Sequence, residues 1–186
     1  MRFSALLPLV LACLLSALAP GLARAEKDPH GILARRVGVW NATVNIKAPV
    51  KMTFKGQEKI SWVLGHNYVL GKGFYDDKGD GKKTEVINLM TYSEKDKRYY
   101  IWEFKANGDV QPAPLTGTWD EEKKEMTLKA NDGKNKGEGV WKFEKDGSFS
   151  WSFEVKDEND KTIFSMDGSQ VKAEKTDSGT KTKTTK

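Results

Sequence analysis

The sequence predicts an all-β fold: a single antiparallel meander β-barrel of about ten strands behind a short N-terminal helix. Three observations carry this. Most of the chain alternates apolar and polar residues, the period of a strand with one buried face. Six tryptophans, Trp40, Trp62, Trp102, Trp119, Trp141 and Trp151, sit one by one on the apolar phase of separate alternating stretches. The stretches are joined by short links rich in Asp, Glu, Lys, Asn and Gly, so neighbouring strands should run antiparallel.

Asp28-Pro29 places a capping residue before a proline, which suits a helix start, and His30–Val37 follows as one to two turns. The first strand is Val39–Ala48, with Trp40, Ala42, Val44, Ile46 and Ala48 on one face. The second is Lys51–Leu64, in which Met52, Phe54, Ile60, Trp62 and Leu64 are in phase; Gly56 and Glu58 interrupt that face, and Gly56 suggests a bulge. Gly65-His66-Asn67 is a turn. Tyr68–Tyr75, Thr84–Tyr92 and Arg98–Lys105 come next, then Leu115–Trp119 and Glu125–Ala130. Glu138–Glu144, Ser148–Lys156 and Thr162–Val171 complete the set, with Asp146-Gly147 a tight hairpin dipeptide.

The chain has 186 residues, and residues 1–25 read as an export leader. Arg2 is followed by the apolar run Phe3–Leu18, a Pro20-Gly21 break and the cleavage pattern Ala23-Arg24-Ala25. A periplasmic or secreted protein beginning at Glu26 is expected. Cys13, the single cysteine, lies in the leader, so the mature chain must rest on core burial without disulfides. The net charge of +5 is terminal in origin. Without two leader arginines, five tail lysines and two tail acids, the barrel region 26–171 keeps 24 basic and 24 acidic residues. A neutral fold argues against a nucleic-acid binder. The tail, residues 172–186, is polar and basic, a composition that favours disorder and weak contact with anionic surfaces.

Several short motifs point to one family. Ile32-Leu33 followed by Gly38-Val39-Trp40 resembles the L-x-x-x-x-G-x-W opening of the bacterial family catalogued as domain of unknown function 1579. Leu64-Gly65-His66-Asn67-Tyr68 is similar to its L-G-x-x-[FY] turn. Gly117-Thr118-Trp119-Asp120, with Lys124-Glu125-Met126-Thr127-Leu128, is similar to its G-x-[WY]-D…L-T hairpin. The resemblance spans roughly Asp28–Val171. It implies a lipocalin-like (calycin-like) or nitrobindin-like barrel, usually exported, with no established activity and no catalytic residues to carry over.

Catalytic and metal signatures are weak. Asp76–Gly81 suggests a calcium loop, but Lys78 and Ile87 fall where oxygen ligands are required, so a solvated hairpin turn is the better reading. His30 and His66 lie beside the helix and in a turn, not on an apolar strand face where a haem ligand belongs. No G-x-S-x-G occurs, and Ser169–Lys172 and Ser178–Lys181 match S-x-x-K only as letters. No cofactor and no catalytic group is expected.

The functional candidate is therefore the aromatic interior. Its inward set is expected to include all six tryptophans with Phe54, Phe104, Phe143, Phe149 and Phe153. Barrels of about eight strands can be filled by side chains, and wider ones leave space; the residues leave both outcomes open. A small apolar or amphipathic ligand inside is the first reading, with Trp62, Tyr68, Lys72, Asn88, Tyr92 and Trp102 as its contacts. Lys72 could instead pair with Glu58. The alternative is a structural or interaction protein of the cell envelope with a filled core. The fourth and fifth strands are apolar on both faces, so Ile87, Leu89, Tyr99 and Ile101 are expected outside, as a homodimer contact or a seat for the helix.

Overall fold

The computed structural model describes residues 29–76, 83–106, 108 and 113–174. Helix α1 (Pro29–Arg36) leads into ten strands: β1 (Gly38–Ala48), β2 (Met52–Val63), β3 (Tyr68–Tyr75), β4 (Thr84–Ser93), β5 (Arg98–Lys105), β6 (Leu115–Asp120), β7 (Glu125–Asn131), β8 (Lys136–Phe143), β9 (Phe149–Lys156) and β10 (Thr162–Lys172). Each strand pairs antiparallel with its neighbour in sequence, and β1 pairs with β10 to close the barrel. Among the described residues no strand is left at a sheet edge, although β5 and β6 pair only over Tyr99–Ile101. Every strand lies within two residues of its expected bounds. The last ends at Lys172, and the Ala173 amide still donates to the Val39 carbonyl at 2.9 Å. Residues 1–28 (with the expected leader), most of the Asp76–Gly81 loop and residues 175–186 lie outside the described residues.

One end of the barrel is shut by α1. Ile32 and Leu33 from its apolar side join Trp40, Ile60, Val69, Met90, Tyr99, Ile101, Met126, Leu128 and Phe149 in one buried cluster. Trp40 is fully buried, and its indole Nε1 donates to the Arg36 carbonyl at 2.7 Å. That bond satisfies a carbonyl which the helix end leaves without a helical partner. Arg35 and Arg36 occupy the last turn, where positive charge complements the helix dipole.

Inward-facing glycines decide how the interior is filled. A methyl group on Gly168 would lie 2.3 Å from Trp151 Cζ2 and 2.7 Å from the Thr43 carbonyl oxygen. On Gly139 it would meet Phe153 at 2.6 Å, and on Gly56 it would meet Tyr75 Cδ1 at 2.3 Å. Each glycine is thus a berth in which a large ring from a neighbouring strand lies flat against the wall. Gly56 is not a bulge: the β1–β2 and β2–β3 registers run through it without a shift. Its missing side chain is used for contact, not for a change of pairing. Register shifts occur instead at Ile46/Ala48 and Thr162/Phe164.

Candidate functional site

With the rings laid along the wall, the barrel keeps a cavity of about 520 Å³. Its wall is mainly apolar: Val44, Ile46 and Phe54 from β1 and β2, Val86 and Met90 from β4, and Trp151, Phe153, Phe164 and Met166 from β9 and β10. Leu115 and Val155 lie at the strand ends away from α1, as do Glu103 and Lys105. The opposite end is closed by the α1 cluster.

A buried polar group stands in the deeper part. Arg36 enters from the end of α1, Glu58 from β2, Asn88 from β4 and Gln170 from β10, and all four line the cavity. Arg36, Glu58 and Gln170 are 5 %, 1 % and 3 % exposed. Glu58 is the hub. Its Oε2 accepts from Gln170 Nε2 at 2.7 Å and from Arg36 Nη2 at 3.4 Å. Its Oε1 accepts from Asn88 Nδ2 at 3.1 Å. Arg36 Nη1 also donates to Gln170 Oε1. The guanidinium lies over aromatic faces, 4.1 Å from the Phe149 centroid and 5.3 Å from that of Trp141. Burial pulls Arg36 below the ordinary guanidinium range, and the Glu58 charge opposes that shift. Tyr75 lies on the wall beside Gln170; burial, then the Glu58 charge, hold its hydroxyl well above its usual range. It is therefore a neutral hydrogen-bonding group at physiological pH. Gly71 makes the arrangement possible, since a methyl group there would fall 2.3 Å from Glu58 Oε1.

The structure sorts the sequence-predicted contacts into three places. Asn88 lines the cavity. Trp62 and Tyr92 point inward but pack on the cluster under α1, with Tyr92 4.9 Å from Tyr99 and Trp62 flanked by His30 and His66. Tyr68, Lys72 and Trp102 lie on the outer face. Lys72 alternates with Gly71 and Gly73, whose missing side chains would point inward at Glu58 and Tyr75, and it pairs at 2.6 Å with Glu85 rather than with Glu58. Trp102 alternates with the buried Ile101 and stacks on Tyr100 at 6.0 Å.

The fifth strand is thus turned over relative to expectation, and the reason is register. Ile101 pairs with Met90 and Glu103 with Asn88, and directly paired residues share a face. Since Met90 and Asn88 face the cavity, so do Ile101 and Glu103. Tyr99 and Ile101 are therefore interior residues and cannot form the expected homodimer contact. Phe104 is likewise outside and 39 % exposed. The outer patch consists instead of Ile87 and Leu89 with Trp102 and Phe104, which are their cross-strand partners. Trp40, Trp119, Trp141, Trp151, Phe54, Phe143, Phe149 and Phe153 keep the inward placement.

Arg36, Tyr75 and Gln170 were not among the expected contacts. Gln170 follows Phe164, Met166 and Gly168 in phase on β10, so its polarity on an inward position was a readable signal. Arg36 carries no strand phase at all. Among the described residues no group of three or more His, Cys, Asp or Glu could hold a metal ion.

Solved structures share this fold, among them the following two. The S-type phycobiliprotein lyase CPES from Guillardia theta aligns over 77 % of this chain and 91 % of its own, with a TM-score of 0.56 and 13 % identity. Rv2717c from M. tuberculosis aligns over 77 % of this chain and 96 % of its own, with a TM-score of 0.56 and 11 % identity. At such identities the likeness is one of fold alone. No curated protein matches the chain in sequence. The family described as "Protein of unknown function (DUF1579)" matches residues 25–180, and the chain belongs to it.

Proposed function

We propose that the protein binds one small, predominantly apolar ligand inside its barrel. The observation that carries this is the unfilled interior: about 520 Å³ of space, apolar walls and a few convergent polar groups at depth. Ligand pockets typically measure about 300–1,000 Å³ and have this composition. A purely structural barrel would gain by filling the space, because a void forfeits packing contacts. The inward glycines keep the rings on the wall and the lumen open. The two similar folds contribute no ligand to this reading.

The test is binding of a neutral apolar fluorophore such as N-phenyl-1-naphthylamine. Val86→Trp, which places a ring in the lumen, is expected to weaken binding at least tenfold with an unchanged far-ultraviolet spectrum. Leu89→Trp, on the outer wall, should leave it unchanged. Equal binding by the two variants would refute an interior site.

We further propose that the protein acts after export. The support is sequence alone: Arg2, the apolar run Phe3–Leu18 and Ala23-Arg24-Ala25. N-terminal sequencing of the mature protein should start at Glu26. A mature chain that retains Met1–Ala25 would count against this.

A further inference from the structure

We infer that the deep polar group recognises an uncharged ligand head that both donates and accepts hydrogen bonds, such as a carboxamide, and discriminates against charged heads. This rests on the interior-binding reading and specifies its ligand.

The charge pattern is the first support. The charged residues lining the cavity are Arg36 and Lys105, Glu58 and Glu103, two of each sign. Arg36 is bonded to Glu58 at depth, and Lys105 lies 3.5 Å from Glu103 near the far end. Neither pair leaves a net charge. A ligand carboxylate or ammonium brought beside Glu58 would be a third charge next to an ion pair that is already matched, and burying such a charge is penalised. A neutral head meets no such cost.

The free hydrogen-bonding capacity is the second support. A side-chain amide has two N–H donors and a carbonyl oxygen. Asn88 spends one N–H on Glu58 and has no other partner among the described residues. Its Oδ1 is not sealed off as buried and unsatisfied, and the residue lines the lumen. A residue that lines the cavity therefore keeps one N–H and one carbonyl oxygen beyond its bond to Glu58. The Glu58 bond fixes the amide and orients it. A carboxamide head is the complement of that pair, because it accepts from the spare N–H and donates to Oδ1. The Tyr75 hydroxyl, kept protonated by burial beside the same group, adds a second neutral contact.

The test is displacement of N-phenyl-1-naphthylamine from the purified protein at pH 8 by four ligands with one tail: dodecanamide, methyl dodecanoate, dodecanoate and dodecylammonium. Dodecanamide should displace the probe at a concentration at least tenfold below either ion and below the ester. In Asn88→Leu, with displacement normalised to that variant's own affinity for the probe, the amide should lose its lead over the ester. A wholly apolar pocket would favour the ester in both proteins and would overturn the inference. So would dodecanoate binding as tightly as the amide, or an amide preference unaltered in Asn88→Leu. If the wild-type protein binds neither the probe nor any of the four, the interior-binding reading itself fails. If probe binding persists with another head preferred, only the present inference fails.

Discussion

Glu58→Leu is expected to destabilise the fold by about 3–5 kcal/mol, the usual cost of removing one partner from a buried ion pair. The size follows from what the substitution leaves behind. Among the described residues Glu58 is the one carboxylate bonded to Arg36, and it accepts from Gln170 and Asn88 as well. Without it, a buried guanidinium lies among Phe149, Trp141 and Trp40 with Gln170 as its remaining hydrogen-bond acceptor. Removing both charges together, as Arg36→Met with Glu58→Leu, should cost clearly less than the two single substitutions summed. Well-packed apolar replacements of buried ion pairs are often neutral or stabilising. Urea denaturation of the four proteins closes the cycle. A Glu58→Leu loss below about 1 kcal/mol, with additive single effects, would show that the pair is as weak as an exposed salt bridge.

The same residues show what could be read from the chain and what could not. Strand number, bounds and pairing were legible because each link is short and chemically distinct, and because alternation marks one face in most strands. On β5 alternation gives no answer, since Tyr99 and Ile101 compete with Tyr100, Trp102 and Phe104 for the interior. Bulk favours the latter three. Register with β4 favours the former pair, and register wins because a single reversed strand would break every cross-strand pair beside it. The cavity was illegible for a related reason. Trp151 and Phe153 read as fillers, and only the positions of Gly168 and Gly139 opposite them turn the rings onto the wall. Glu58 stood out as polar on an apolar face, but its partner Arg36 comes from a helix end, whose aim depends on how α1 seats on the barrel.

That seating leads to a second large effect. Trp40→Ala is expected to lose about 3–5 kcal/mol, the range for deleting a large buried aromatic side chain. For a protein of this length such a loss lowers the melting temperature by roughly 6–20 °C. Trp40 is completely buried, holds the terminal carbonyl of α1 through Nε1 and lies beneath the Arg36 guanidinium, 5.9 Å from its ring centroid. Its removal leaves a void and unties the plug, so α1 amides should lose protection in hydrogen exchange ahead of the strands. Trp40→Phe, which keeps most of the volume but not the donor, should cost much less, with about 1 kcal/mol of the loss due to the missing hydrogen bond. Trp102 supplies the control. It lies on β5, which is apolar on both faces, and it stacks on Tyr100 on the outer face, where truncation leaves no sealed void. Trp102→Ala should therefore fall well short of Trp40→Ala in calorimetry. Equal losses at the two sites would mean that β5 presents Trp102 to the interior, and the pairing of Ile101 with Met90 would then have to be abandoned.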